Sequence, residues 1–132
     1  MSEQSVEALR AVYAGWEQGD FTTSLPLFDE AITMVIDPSI PDGGAYQGIE
    51  GVRAYMSAFL EPWDTLTIAA ESYEAIEDRV LVAVRQAGTG QGSGVPVELE
   101  YFQLWTFRDG KAVRFEVIMS EERARDAAGP AA

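Results

Sequence analysis

VPVELEYFQLWTFRDGKAVRFEVIM, residues 95–119, decides the fold. Leu99, Tyr101, Gln103, Trp105 and Phe107 fall on one side of an alternating run, while Glu98, Glu100, Phe102, Leu104 and Thr106 fall on the other. That two-residue period belongs to a strand with one buried face. Asp109-Gly110 follows as a two-residue hairpin signal, since a type I′ turn needs positive φ at both central positions. The chain returns through Lys111 to Met119, with Phe115, Val117 and Met119 on the inward side and Arg114, Glu116 and Ile118 on the outward side.

Upstream, Val80, Val82, Val84 and Gln86 alternate with Leu81, Ala83 and Arg85, and Thr65 to Ala75 forms an earlier β run separated from it by Glu77-Asp78-Arg79. Gly88 to Gly94 reads as a hairpin loop, because a phosphate cradle needs a following helix with Lys-Ser/Thr. The second half of the chain is therefore an antiparallel meander of four strands. The first half has helical spacing. Val6, Leu9, Val12, Tyr13 and Trp16 mark one helix ended by Gly19, Asp20 to Phe28 a short second one, and Ile49 to Leu60 a third whose face carries Val52, Tyr55, Met56 and Phe59, with Trp63 continuing it. Between the last two lie a short strand at Ile32 to Ile36, stopped by Asp37-Pro38, and a Gly- and Pro-rich loop from Pro38 to Gly48 suited to the rim of a cavity. Ser120 caps a short terminal helix, and residues 121–132 are that helix or a loose tail. The expectation is one α+β domain over 1–132, with three N-terminal helices packed on a curved antiparallel sheet.

Composition removes whole classes of function. Nine Lys and Arg against 22 Asp and Glu leave a net charge of -13, a field that repels nucleic acid and anionic membranes. The chain has no Cys and no His, so thiolate chemistry, Ser-His and Cys-His catalysis and His-ligated metals are excluded. The carboxylates Glu98, Glu100 and Glu116 read as a solvated face, and no metal or cofactor is called for. With no apolar run of membrane-spanning length and no basic-then-apolar leader, the reading is a cytoplasmic protein.

Three local stretches carry a resemblance. Trp16-Glu-Gln-Gly19-Asp20-Phe21 resembles the helix-end turn of the nuclear transport factor 2-like superfamily, Tyr46-Gln-Gly48-Ile-Glu-Gly51-Val52 its third-helix entry, and Leu104-Trp-Thr-Phe-Arg-Asp-Gly-Lys111-Ala-Val-Arg114 its final hairpin. The chain is most similar to the SnoaL-like group, named for a polyketide cyclase and related in fold to ketosteroid isomerase. The resemblance implies a cone-shaped domain whose helices cover the concave face of the sheet and leave one pocket. It implies no single reaction, because the superfamily holds isomerases, cyclases, dehydratases, hydrolases and non-catalytic modules.

Aligning Gly19-Asp20 with the isomerase turn, and allowing one inserted residue, brings Asp37-Pro38 onto that family's Asp-Pro, whose Asp shuttles the proton. A carboxylate facing a water-poor pocket would have its pKa raised toward a useful base; read by itself, Asp37 ends a strand before a proline turn. Gln103 falls where the isomerases keep a protonated Asp, and the isomerase Tyr aligns beside Tyr13, nearer Val12. Asp37, Gln103 and Tyr13 are thus the catalytic candidates for an isomerase or cyclase acting on an apolar carbonyl compound. The alternative is a non-catalytic ligand-binding or dimerisation module. Either way Trp16, Tyr55, Trp63, Val84, Tyr101, Trp105, Phe115, Val117 and Met119 are expected to line the pocket, with an uncharged apolar small molecule as ligand. Phe102, Leu104 and Ile118 would leave an apolar patch on the convex sheet face, which predicts a homodimer there.

Overall fold

The first apolar stripe forms helix α1, Ser2–Trp16, in a computed structural model that describes residues 2–129. Residues 130–132, expected as part of a loose tail, lie outside the described residues. Gly19, at φ +81, ends the helix, and the Gly19 and Asp20 N–H groups return to the carbonyls of Trp16 and Gly15. Gly15 is required by a close approach: a Cβ there would stand 2.3 Å from the Thr23 side chain.

The expected second helix is a series of turns that closes with a single 3-10 turn at Leu25–Leu27. Local side-chain bonds compete with helix formation here. Asp20 accepts from the Thr22 N–H at 3.0 Å, and the Thr23 hydroxyl donates to the Val12 carbonyl of α1 at 2.9 Å. Strand β1 then runs over Phe28–Ile36, beginning earlier than its β-favouring core suggests. The segment read as a bare loop contains a short edge strand, β2, Gly44–Gln47, which pairs with Thr33–Ile36. Helix α2, Gly48–Leu60, follows at once.

The meander comes out as expected: β3 Trp63–Ile76, β4 Arg79–Gly90, β5 Pro96–Arg108 and β6 Lys111–Ile118, each antiparallel to the next. Asp109 at φ 52 and Gly110 at φ 81 make the β5–β6 turn. The sheet order is β2-β1-β6-β5-β4-β3, and β1 lies parallel to β6. The sheet is therefore mixed rather than antiparallel throughout. The parallel pair is possible because everything from α2 to β5 intervenes as the crossover.

Both faces of the sheet are covered. On one side α1 and α2 close over Ile32, Met34, Val80, Val82, Val84, Tyr101, Trp105, Phe115 and Val117. On the other, helix α3, Glu121–Ala128, lies across Ile76, Leu81, Leu104 and Ile118 through Ala124 and Ala128. The Ser120 hydroxyl caps α3 by accepting from the Arg123 N–H. This helix corrects two expectations. Helices stand at both ends and in the middle of the chain, not three at the N-terminus. The patch that was to drive dimerisation is also largely covered, since Leu104 is 0% and Ile118 9% accessible under α3 and Phe102 is partly buried against the same cluster. The rest of the outer face is ionic: Arg85 holds Glu98 at 2.7 Å and Glu100 at 2.8 Å, with Glu71 at 3.3 Å, and Glu116 pairs with Arg114. Among the described residues no helix is long and apolar enough to cross a membrane.

If α3 covers the outer apolar cluster, Ala124→Asp places an unpaired carboxylate in it. The expected loss is about 2 kcal/mol in urea unfolding, with new binding of an apolar dye. The exposed neighbour Glu122→Ala is expected to change stability by less than about 0.5 kcal/mol. Equal stability of Ala124→Asp and the unmodified protein would contradict the assignment.

Candidate functional site

Between α1, α2 and the sheet lies a cavity of ≈120 Å³. Its wall is built from one side chain of α1 (Trp16), the aromatic face of α2, inward positions of β1, β3, β4, β5 and β6, and Phe21, Ile40 and Met119 from the connecting segments. Strand register explains why the sheet contributes what it does. Val82, Gln103 and Val117 are cross-strand partners in one row, Val84 and Tyr101 in the next, and Gln86 and Leu99 beyond them. Side chains in these rows share the concave face. None of the lining residues carries a charge, and apart from Gln86 and Gln103 all are aromatic or aliphatic.

Those two amides are almost fully buried and enter one hydrogen-bond chain. The Trp105 indole N–H donates to the Tyr13 hydroxyl at 3.0 Å, and Tyr13 donates to the Gln103 carbonyl oxygen. The Gln103 side chain also favours the ionised Tyr101 hydroxyl, as a donor does, and Tyr101 donates to the Gln86 carbonyl oxygen at 2.6 Å. Burial pushes the phenols of Tyr13 and Tyr101 well above the ordinary tyrosine range. Burial, followed by the neighbouring Tyr46 and Asp42, pushes Tyr55 up to about 12. Every phenol at the cavity is thus protonated at neutral pH.

Asp37 is placed differently. It is buried but absent from the cavity lining, and its carboxylate closes the junction between the ends of β1 and β6 and the start of α3. One oxygen accepts from the Ser39 N–H at 2.9 Å, the other from the Met119 N–H at 2.8 Å and the Arg123 guanidinium at 2.8 Å. Burial alone would raise its pKa. The backbone N–H groups of Met119 and Ser39, the Ser39 hydroxyl and Arg123 outweigh burial and hold the carboxyl well below its ordinary 3.8. The expectation of a raised pKa is therefore corrected. The strand end faces a ring of donors, not an apolar wall.

Of the other expected residues, Gln103, Trp16, Tyr55, Tyr101, Phe115, Val117 and Met119 line the cavity together. Tyr13 stands behind the wall, bonded to Gln103. Val84 and Trp105 are fully buried in the core, and Trp63 packs beside Gly88 at the start of β3. The sequence reading missed Phe28, because β1 begins before Ile32, and it did not assign Met34 of the expected strand to the pocket. The short terminal helix capped by Ser120 is found as expected, but the reading missed that its Arg123 reaches Asp37. No group of acidic side chains arranged to hold a metal occurs among the described residues.

Comparison with known proteins agrees with this architecture. Residues 9–115 match the SnoaL-like domain family. Among solved structures, TerC co-crystallised with polyporic acid superposes with a TM-score of 0.77 at 23% identity, covering 96% of this chain and 99% of that one. A nuclear transport factor 2-like protein from Burkholderia thailandensis gives 0.76 at 22% identity, covering 96% and 98%. A protein of ketosteroid isomerase-like fold from Catenulispora acidiphila, in complex with trimethylamine, gives 0.73 at 16% identity, covering 93% and 92%. No curated protein matches the chain.

The Asp37 clamp has a pH signature. A carboxylate whose folded-state pKa is depressed contributes stability above its unfolded value, near 3.8, and loses it as pH falls through the folded value. Asp37→Asn is expected to cost about 2 kcal/mol at pH 7 by weakening charge-assisted bonds. The difference from the unmodified protein should shrink steadily below about pH 4. Denaturation at pH 7 and pH 3 checks this, and a deficit of equal size at both pH values would contradict the clamp.

Proposed function

The chain belongs to the SnoaL-like domain family, and from that premise we propose that it binds an uncharged, largely apolar small molecule in the cavity between α1, α2 and the sheet. The observation that carries the reading is the character of the wall. A cavity lined by aromatic and aliphatic side chains, with two buried amides and no charge, selects by shape and hydrogen bonding rather than by ion pairing. Net charge works in the same direction, since -13 disfavours the approach of anions. The small molecules present with TerC and with the Catenulispora protein support a ligand site in this fold.

A non-catalytic role is favoured over general-base catalysis. A base must come within hydrogen-bond reach of the proton it removes, and among the described residues no Asp, Glu, Lys or Arg lines the cavity. The nearest candidate by sequence, Asp37, has its carboxylate engaged by four donors, so proton transfer would first require release from Arg123 and from the Met119 backbone. The protein thereby works as a carrier, sensor or sequestering module for its ligand. With α3 covering Leu104 and Ile118, the sheet patch offered for a homodimer no longer supplies a reason for one.

Naphthalene and 1-naphthalenesulfonate share a skeleton and differ in charge, so together they test the wall directly. Naphthalene is expected to raise the unfolding temperature, with about 2.7 kcal/mol of added stability at a free concentration one hundred times its Kd. The sulfonate should give little or no shift at the same concentration. Stabilisation by the anion alone, or by neither compound, would contradict the reading.

A further inference from the structure

The polarity of the buried hydrogen-bond chain is fixed at one end by chemistry that has no alternative. An indole N–H can only donate, so Trp105 makes the Tyr13 oxygen an acceptor. The single Tyr13 proton then goes to the Gln103 carbonyl oxygen. With that oxygen engaged, Gln103 offers N–H to the Tyr101 hydroxyl, and the Tyr101 proton goes to the Gln86 carbonyl oxygen. Each hydroxyl in the chain accepts once and donates once, and each buried carbonyl oxygen has a donor. Reversing either amide would set N–H against O–H and leave an oxygen unpaired, at about 1–3 kcal/mol for each buried group left so.

The chain ends at the cavity wall on the nitrogen side of Gln86, whose residue is 4% accessible and lines the cavity. A second observation points the same way. Trp16 lines the same cavity, and its indole nitrogen is buried with no hydrogen-bond partner among the described residues. Both are donors without acceptors. The two carbonyl oxygens that line the cavity, those of Gln86 and Gln103, are already engaged, and the Tyr55 hydroxyl can serve in either sense. A buried donor without a partner calls for an explanation, and a ligand oxygen supplies one.

We propose that Gln86, locked by the Trp105-anchored chain, makes this cavity selective for neutral ligands bearing a hydrogen-bond acceptor without a donor, such as an aryl ketone, with Trp16 as the second contact. The proposal rests on the cavity being the ligand site. It adds that specificity is set by an amide whose orientation is decided four side chains away. Trp105 and Tyr13 are positioning residues, whereas Gln86 touches the ligand.

The test uses 1-tetralone and its hydrocarbon counterpart tetralin, measured by calorimetry on the full chain and on Gln86→Leu and Gln86→Met. Comparing the change on mutation for each ligand cancels their different hydration. Tetralone is expected to weaken about tenfold in both variants, the size of one lost hydrogen bond. Tetralin should hold or gain affinity. Equal changes for both ligands would overturn the proposal while leaving the binding site standing. Failure of both ligands to bind the unmodified protein would instead count against the site itself. A measurement on the unmodified protein does not depend on either variant folding. The carbonyl ¹³C resonance of labelled tetralone should move downfield on binding relative to its position in an aprotic solvent, as a carbonyl accepting hydrogen bonds does. A bound resonance at the aprotic position would overturn the proposal.

Discussion

A polar group withdrawn from water must find its partner inside the protein, and that constraint organises this molecule more than any single apolar contact. It is met twice, in two different ways. Inside the concave face, Trp105, Tyr13, Gln103, Tyr101 and Gln86 satisfy one another in series, without a charge. At the edge of the sheet, Asp37 is satisfied as an anion by two backbone N–H groups, a hydroxyl and Arg123. The first solution leaves a neutral wall that faces a cavity. The second joins β1, β6 and α3, and so holds the helix that covers the opposite face.

The two faces divide the work. Deep packing on the concave side, with Trp105 within 4.5 Å of Phe115 by ring centroids and stacked near Phe28 and Phe107, gives the hydrogen-bond chain a rigid frame. The convex side carries carboxylates, among them Glu71, Glu98 and Glu100 gathered around Arg85. Charge therefore lies outside and neutrality inside. On the proposed reading, a ligand meets a field that disfavours anions before it meets a wall that discriminates by hydrogen-bond direction.

Much of this was legible in the sequence where one physical rule acts alone. The alternation in residues 95–119 and the Asp109-Gly110 turn gave the meander with its correct inward set, because strand period and turn chemistry are local. The segments that misled are those where distant partners decide. The Asp20–Phe28 stretch has helix-forming members, yet bonds from Thr22 and Thr23 to neighbouring carboxylate and carbonyl groups hold it in turns. The parallel β1–β6 pairing leaves no mark on either strand. Asp37 showed its position at a strand end but not its surroundings, since Arg123 lies 86 residues away and no local pattern says where the terminal helix packs. For the same reason Leu104 and Ile118 looked exposed.

The central claim is that the cavity under α1 and α2 is a site for a neutral ligand. The indole N–H resonances of the three tryptophans test it within one spectrum. On titration with a neutral aromatic ketone, the Trp16 signal should shift most, because Trp16 lines the cavity and its N–H lacks a partner. Trp105, already bonded to Tyr13, should shift less, and Trp63, outside the lining, should stay in place. A spectrum in which Trp63 moves while Trp16 does not would contradict the account.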